Sequence, residues 1–189
     1  MFDNDVISSY VNFMTDLLVI DDVYFCFDED ISKEYIFDGG AAKCFPQERE
    51  IYFDLSKCND IIQALILITH ELRHMYQYDI CNQKDYDDFE DFETYESWKN
   101  NFNTYISVGD DGYETQPLEV DAEVFTYYIM NKLFKVETNG MLNLCVYKKR
   151  YDEILDNLTM EEILESLNYS GFIDYINDVN NDIRNKIVN

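Results

Sequence analysis

With 189 residues, 47% of them apolar, the chain can bury a core of its own, which excludes disorder over its whole length. Its 39 acidic residues against 14 basic leave a formal net charge of -25, which sets it against nucleic-acid phosphates and anionic membranes as direct partners. Two Pro and six Gly are too few for a linker-rich array, so residues 1–189 are read as a single domain.

The opening MFDNDVISSYVNF has neither the positive nor the apolar stretch of a secretory signal. In residues 4–19, Val6, Ile7, Tyr10, Val11, Phe13, Met14, Leu17 and Leu18 recur at helical spacing, which predicts an amphipathic helix. Val23 to Phe27 is a short β-prone run, and Tyr35 to Phe37, Ala41 to Phe45 and Glu50 to Asp54 are three further strand candidates. Strands in succession with short connections predict a small, mainly antiparallel sheet.

Ser56 or Asn59 is positioned to cap a helix from Asp60 to about Tyr78. Its first half, Ile61 to Ile68, is the longest apolar run of the chain, apolar nearly all round and so buried on most sides. That run is also far too short to cross a bilayer, and the expectation is a soluble, cytoplasmic protein. Residues 79–116 form an acidic, aromatic insertion in which Phe89, Phe92, Tyr95 and Trp98 fall three apart, as in a short helix. Pro117 suits the first position of a helix reaching Phe134, with Leu118, Ala122, Phe125, Ile129 and Leu133 as its core stripe. Thr159 and Glu162 have the spacing of a capping box, and residues 171–187 look helical, giving a helical C-terminal part over about 147–189. The order predicts an α+β fold. Five Cys (Cys26, Cys44, Cys58, Cys81 and Cys145), an odd number without a CxxC pair, fit free thiols in a reducing compartment.

The two His of the chain both lie in Thr69-His-Glu-Leu-Arg-His74. Spacing of i, i+4 stacks two side chains on one helix face, so both rings can reach one Zn²⁺. Glu71 points about 100° further round, where it can meet a metal-activated water without binding the metal. By chance two His fall four apart in roughly one such chain in a hundred, and a Glu after the first lowers this to about one in a thousand. The bland alternative is a pair of satisfied core histidines. Because there is no third His, the third ligand must be Glu, Asp or Cys.

Glu119, in the first turn of the Pro117 helix, is the leading candidate, although acidic residues are favoured at helix N-termini in any case. Asp121 is its rival, since a small difference in helix phase would present it instead. Glu123 shares a face with Glu119, so one of the two could bind zinc while the other hydrogen-bonds a ligand His. Tyr113, Tyr127, Tyr128 and Arg73 are available to stabilise an oxyanion; Tyr113 is favoured, and Arg73 is expected to pair with a local acid.

HELRHMYQY followed by QPLEVDAEVF resembles the small gluzincin-type HExxH metallopeptidase domains, relatives of the ImmA/IrrE-like and phage-encoded proteins. The resemblance covers about 20 residues in two blocks. It implies a zincin-like fold, with a small sheet packed against the active-site helix and further helices on the C-terminal side. It makes His70, His74 and Glu119 the zinc ligands, Glu71 the general base and Ala122 a small packing residue. Glu123 stands where many relatives have Asp or Asn.

The expected function is a zinc-dependent metallopeptidase. Its substrate, a peptide or protein, would pair with an edge strand around residues 41–45 or 50–54, and the acidic surface would favour basic peptides. The alternative is an acidic, non-catalytic binding or inhibitor protein, a nucleic-acid mimic built on the same scaffold, motivated by the charge and by residues 85–98.

Overall fold

The computed structural model describes residues 2–36, 39–82, 89–136 and 145–187, with side chains as far as residue 181. It is a mostly helical α+β fold with one three-stranded sheet. Helix α1 (Asn4–Leu17) starts on the Asp3 side chain, which accepts from the Asp5 N–H, and buries Tyr10, Phe13 and Met14. Strand β1 (Tyr24–Cys26) follows.

Tyr35 does not belong to a strand. It ends helix α2 (Glu29–Tyr35), whose first turn is capped by Asp28 accepting from the Asp30 and Ile31 N–H groups. Lys33 pairs with Glu29 one turn back on the exposed face. The cap and the acidic first turn outweigh the β-prone character of Tyr35-Ile36, while Phe37 lies outside the described residues.

Strands β2 (Ala42–Phe45) and β3 (Glu50–Phe53) form an antiparallel hairpin, and β1 pairs with the other edge of β3 in parallel. The order is therefore β1-β3-β2, a mixed sheet rather than a mainly antiparallel one. The parallel pair arises because the chain leaves β1 through α2, which lies against β3, and reaches β2 on the far side. Ile36 closes a small cluster with Cys26, Tyr52 and Phe45 beneath this crossing. Strand β3 is central and fully paired, so of the two segments expected to meet a substrate strand only β2 is an edge.

Helix α3 (Ile61–Asn82) runs one turn longer than expected. Asp60, rather than Asn59 or Ser56, accepts the Gln63 N–H, and the Gln63 side chain returns to the Asn59 N–H, closing the start from both sides. Ala64, Leu65, Ile68, Leu72 and Met75 are fully buried. In the acidic insertion, Asp91 caps α4 (Phe92–Asn103). Tyr95 and Trp98 face the core, while Phe89 and Phe92 are exposed, so the expected three-residue stripe holds for one turn only. Part of the segment that motivated the acidic-mimic alternative, residues 85–88, lies outside the described residues.

Helix α5 (Pro117–Phe134) begins and ends where the sequence places it, and its whole expected stripe is buried. Next come α6 (Cys145–Asn157), α7 (Met160–Ser170) with the Thr159–Glu162 capping box formed in both directions, and α8 (Ile173–Ile187). Gly171 ends α7 at φ +73°, a conformation that disfavours any side chain. One apolar cluster extends from Val6 to Val179, with α1, α3 and α5 through its middle. Among the described residues no helix is long and apolar enough to cross a membrane.

Candidate metal centre

Helices α3 and α5 pack closely, with the fully buried Ala122 between the two candidate carboxylates Glu119 and Glu123. The packing brings His70, His74 and Glu119 together. The two Nε2 atoms are 3.1 Å apart; His70 Nε2 is 3.3 Å from Glu119 Oε2, and His74 Nε2 is 3.4 Å from Glu119 Oε1. Zinc–ligand bonds of 2.0–2.1 Å at tetrahedral angles put ligand atoms about 3.3 Å from one another, which is the spacing of the two rings from each other and of each ring from one Glu119 oxygen, so the three residues could hold one cation. It is the one cluster of potential ligands among the described residues. The donor set, two imidazoles and a carboxylate, leaves a fourth position for water or substrate, which a closed structural site would fill with protein.

Several local devices hold these groups. Pro117 lacks an N–H, and the next one, on Leu118, donates to Asn101 Oδ1 of α4 at 3.0 Å, which fixes the start of α5 and so the height of Glu119. Gln116 holds Ile106 through its N–H and its C=O together, and this fastens the loop that carries Tyr105. Beneath His70, the Thr69 hydroxyl donates to Leu65 O at 2.8 Å and therefore accepts from Tyr10 Oη at 2.6 Å, tying α1 to α3.

The electrostatics follow from burial and proximity. Burial opposes charge on His74, but the Glu119 carboxylate, with Glu71 nearby, outweighs it and pushes the ring's pKa up to about 9. Burial equally opposes charge on Glu119, and the hydrogen bonds and charges of His70 and His74 hold its carboxyl well below the usual range. Desolvation pushes Glu71 up, against the pull of the two rings. Burial, and then Glu71, raise the Cys44 thiol well above its ordinary value, which keeps it protonated in the metal-free protein.

Asp121 and Glu123 are both committed elsewhere. Asp121 lies on the far side of α5 from Glu119, where Arg73 Nε and Arg150 Nε donate to it at 2.8 and 2.6 Å. Glu123 accepts from Tyr147 Oη at 2.9 Å and so does not orient a ligand His. Arg73 pairs with local acid as expected, Asp121 and Glu90, and lies over the rings of Tyr76 and Phe125. Tyr128 is spent on Leu158 O at 2.7 Å, away from the site.

Tyr113 does reach the site. It lines a cleft of about 510 Å³ together with His70, Glu71, His74, Tyr105 and the β2 residues Ala42 to Cys44. Tyr105 was not singled out by sequence, yet its hydroxyl donates to Glu119 Oε1, and its ring meets that of Tyr113 edge-on at 6.3 Å. No spacing signal marks it, because it sits in a loop. A larger cavity of about 830 Å³, beside Phe2, Phe27 and Leu55, has no imidazole on its walls.

No protein-family model matches the sequence, and no curated protein or solved structure gives a significant match.

Proposed function

We propose that the protein is a zinc-dependent metallopeptidase with a zincin-like active site. The observation that carries this reading is that His70 Nε2 and His74 Nε2, 3.1 Å apart, each face one oxygen of the same Glu119 carboxylate, at 3.3 and 3.4 Å. His70, His74 and Glu119 would hold the cation. Bound zinc supplies a Lewis acid that polarises a carbonyl and brings the acidity of water close to neutrality.

Glu71, one residue from His70 and facing the cleft, takes the proton from the attacking water and returns it to the departing amine. Its raised pKa suits both halves of that task, since a fully solvated carboxylate would be a poorer acid in the second. Tyr113, kept protonated by burial, can donate to the developing oxyanion, while the Tyr105 hydroxyl is committed to Glu119. Strand β2, an edge strand along the cleft, offers backbone groups to an extended peptide.

The cleft walls also bear on the substrate. Phe102, Val108, Leu118 and Pro46 make them largely apolar, and Lys43 and Glu71 are the charged side chains there besides the ligand residues. A chain of net charge -25 therefore draws basic partners through its outer surface, while the residues flanking the scissile bond meet apolar walls.

Glu71→Gln is expected to keep one zinc per chain and to abolish cleavage of an unstructured protein substrate. Wild-type turnover in that variant would remove Glu71 from the mechanism and the reading with it. Elemental analysis of wild type beside His70→Ala and Glu119→Ala tests the ligands: both variants should lose the metal.

A further inference from the structure

We propose that Gln77 is a positioning residue that links His74 to Asp121 and fixes which ring nitrogen His74 turns toward the metal centre; its consequence for catalysis rests on the zinc reading above. Gln77 lies three residues beyond His74 on α3 and is completely buried. Its amide nitrogen donates to Leu118 O at 2.9 Å and to Asp121 Oδ2 at 2.6 Å.

Neither of those partners has a hydrogen to offer. Leu118 O is a carbonyl. Both Asp121 oxygens accept from guanidinium N–H groups, Oδ1 from Arg150 Nε and Oδ2 from Arg73 Nε. The amide of Gln77 therefore has one orientation that satisfies it, with both hydrogens on these acceptors and Oε1 turned to His74 Nδ1 at 2.9 Å. A carboxamide oxygen can only accept, so His74 Nδ1 must be the donor. A neutral ring protonated at Nδ1 has its lone pair on Nε2, the atom that faces His70 and Glu119.

The chain of contacts thus runs from two arginines through Asp121 and Gln77 to a metal-facing nitrogen. Glu90 closes the far side, accepting from Arg73 and Arg150 at 3.0 and 3.1 Å. Interposing an amide separates the His74 ring from the Asp121 carboxylate. The ring gains a fixed tautomer and orientation without a second negative charge against it.

With two His in the chain, the imidazole ¹⁵N spectrum of the full-length protein contains two rings, assigned with His70→Asn. In metal-free protein, at a pH alkaline enough for the His74 ring to be neutral, His74 is expected to carry its proton on Nδ1. Added zinc should shift Nε2 and leave the Nδ1–H in place. Gln77→Leu should lower zinc affinity roughly 10- to 100-fold and let His74 populate both tautomers. The unfolding midpoint of the metal-free variant reports separately on any structural loss.

A proton on His74 Nε2 in the wild type overturns the proposal, as does an unchanged zinc affinity in folded Gln77→Leu. If that variant does not fold, the wild-type spectrum decides alone. Spectra with Nδ1–H that do not respond to zinc overturn the metal role, whereas a zinc-bound protein without peptidase activity removes the hydrolase reading and leaves the positioning role intact.

Discussion

Tyr105 and Tyr113 share one cleft and one kind of hydroxyl, yet their positions assign them different work. The Tyr105 hydroxyl is bound to Glu119 Oε1, so it orients a candidate ligand, while Tyr113 stands beside it along the same wall. Tyr105→Phe is expected to weaken zinc binding about tenfold, the lower end for loss of a ligand's partner, as read by chelator competition. Tyr113→Phe should keep the metal and lower kcat by about 10²–10³ if it is the oxyanion donor. Equal metal affinities in the two variants would contradict this division. Deeper in the core, Tyr10→Phe removes one buried hydrogen bond to Thr69 and should cost about 1 kcal/mol in urea unfolding. Zinc affinity should stay unchanged, because the helical hydrogen bonds that carry His70 remain.

Between elements, the connections that matter are polar and buried. Arg73 of α3, Asp121 of α5 and Arg150 of α6 meet with Glu90 in a four-membered ion cluster of two positive and two negative groups. Glu153 also pairs with Arg150 at 3.2 Å from the partly exposed edge of this cluster, and each guanidinium lies over an aromatic ring, Arg150 over Trp98 at 5.3 Å. Removing one member leaves uncompensated charge in the interior. Arg150→Met is therefore expected to destabilise by about 3–5 kcal/mol, measured by denaturant unfolding. Lys148→Ala, which removes an exposed ion pair with Asp152 on the same helix, should cost less than about 1 kcal/mol. Similar losses in the two variants would mean that the buried cluster has no special energetic weight.

Across the whole molecule, a net charge of -25 repels itself, and this repulsion is screened as the Debye length falls from about 30 Å at 0.01 M salt to about 3 Å at 1 M. The thermal midpoint should rise with added sodium chloride. Zinc, on the proposed reading, would act through a different route, by binding the folded state: at about 100 times its Kd it should add about 2.7 kcal/mol. That gain should vanish in His70→Ala, while the salt effect remains. A salt response lost together with the zinc response would show that the first reflects the site and not the surface.

What the sequence by itself determined is the local order of the site. His70, Glu71 and His74 share a turn of α3 because an α-helix repeats every 3.6 residues, and Pro117 starts α5 because its φ is already helical. The capping box of α7 and the apolar stripe of α5 are legible for the same reason, since each depends on neighbours within a few residues. What only the tertiary structure decided is everything that depends on how one element is rotated against another. Glu119 and Asp121 are two residues apart and about 200° round the helix, so sequence offers both to the metal, and the packing of α5 on α3 turns one to the histidines and the other to the arginines. Tyr105, Gln77 and Arg150 acquire their places the same way, from contacts that span 14, 44 and 29 residues and follow no local period. The parallel pairing of β1 with β3 belongs with them, because strand direction is set by the path of the chain through α2 and not by the composition of the strand.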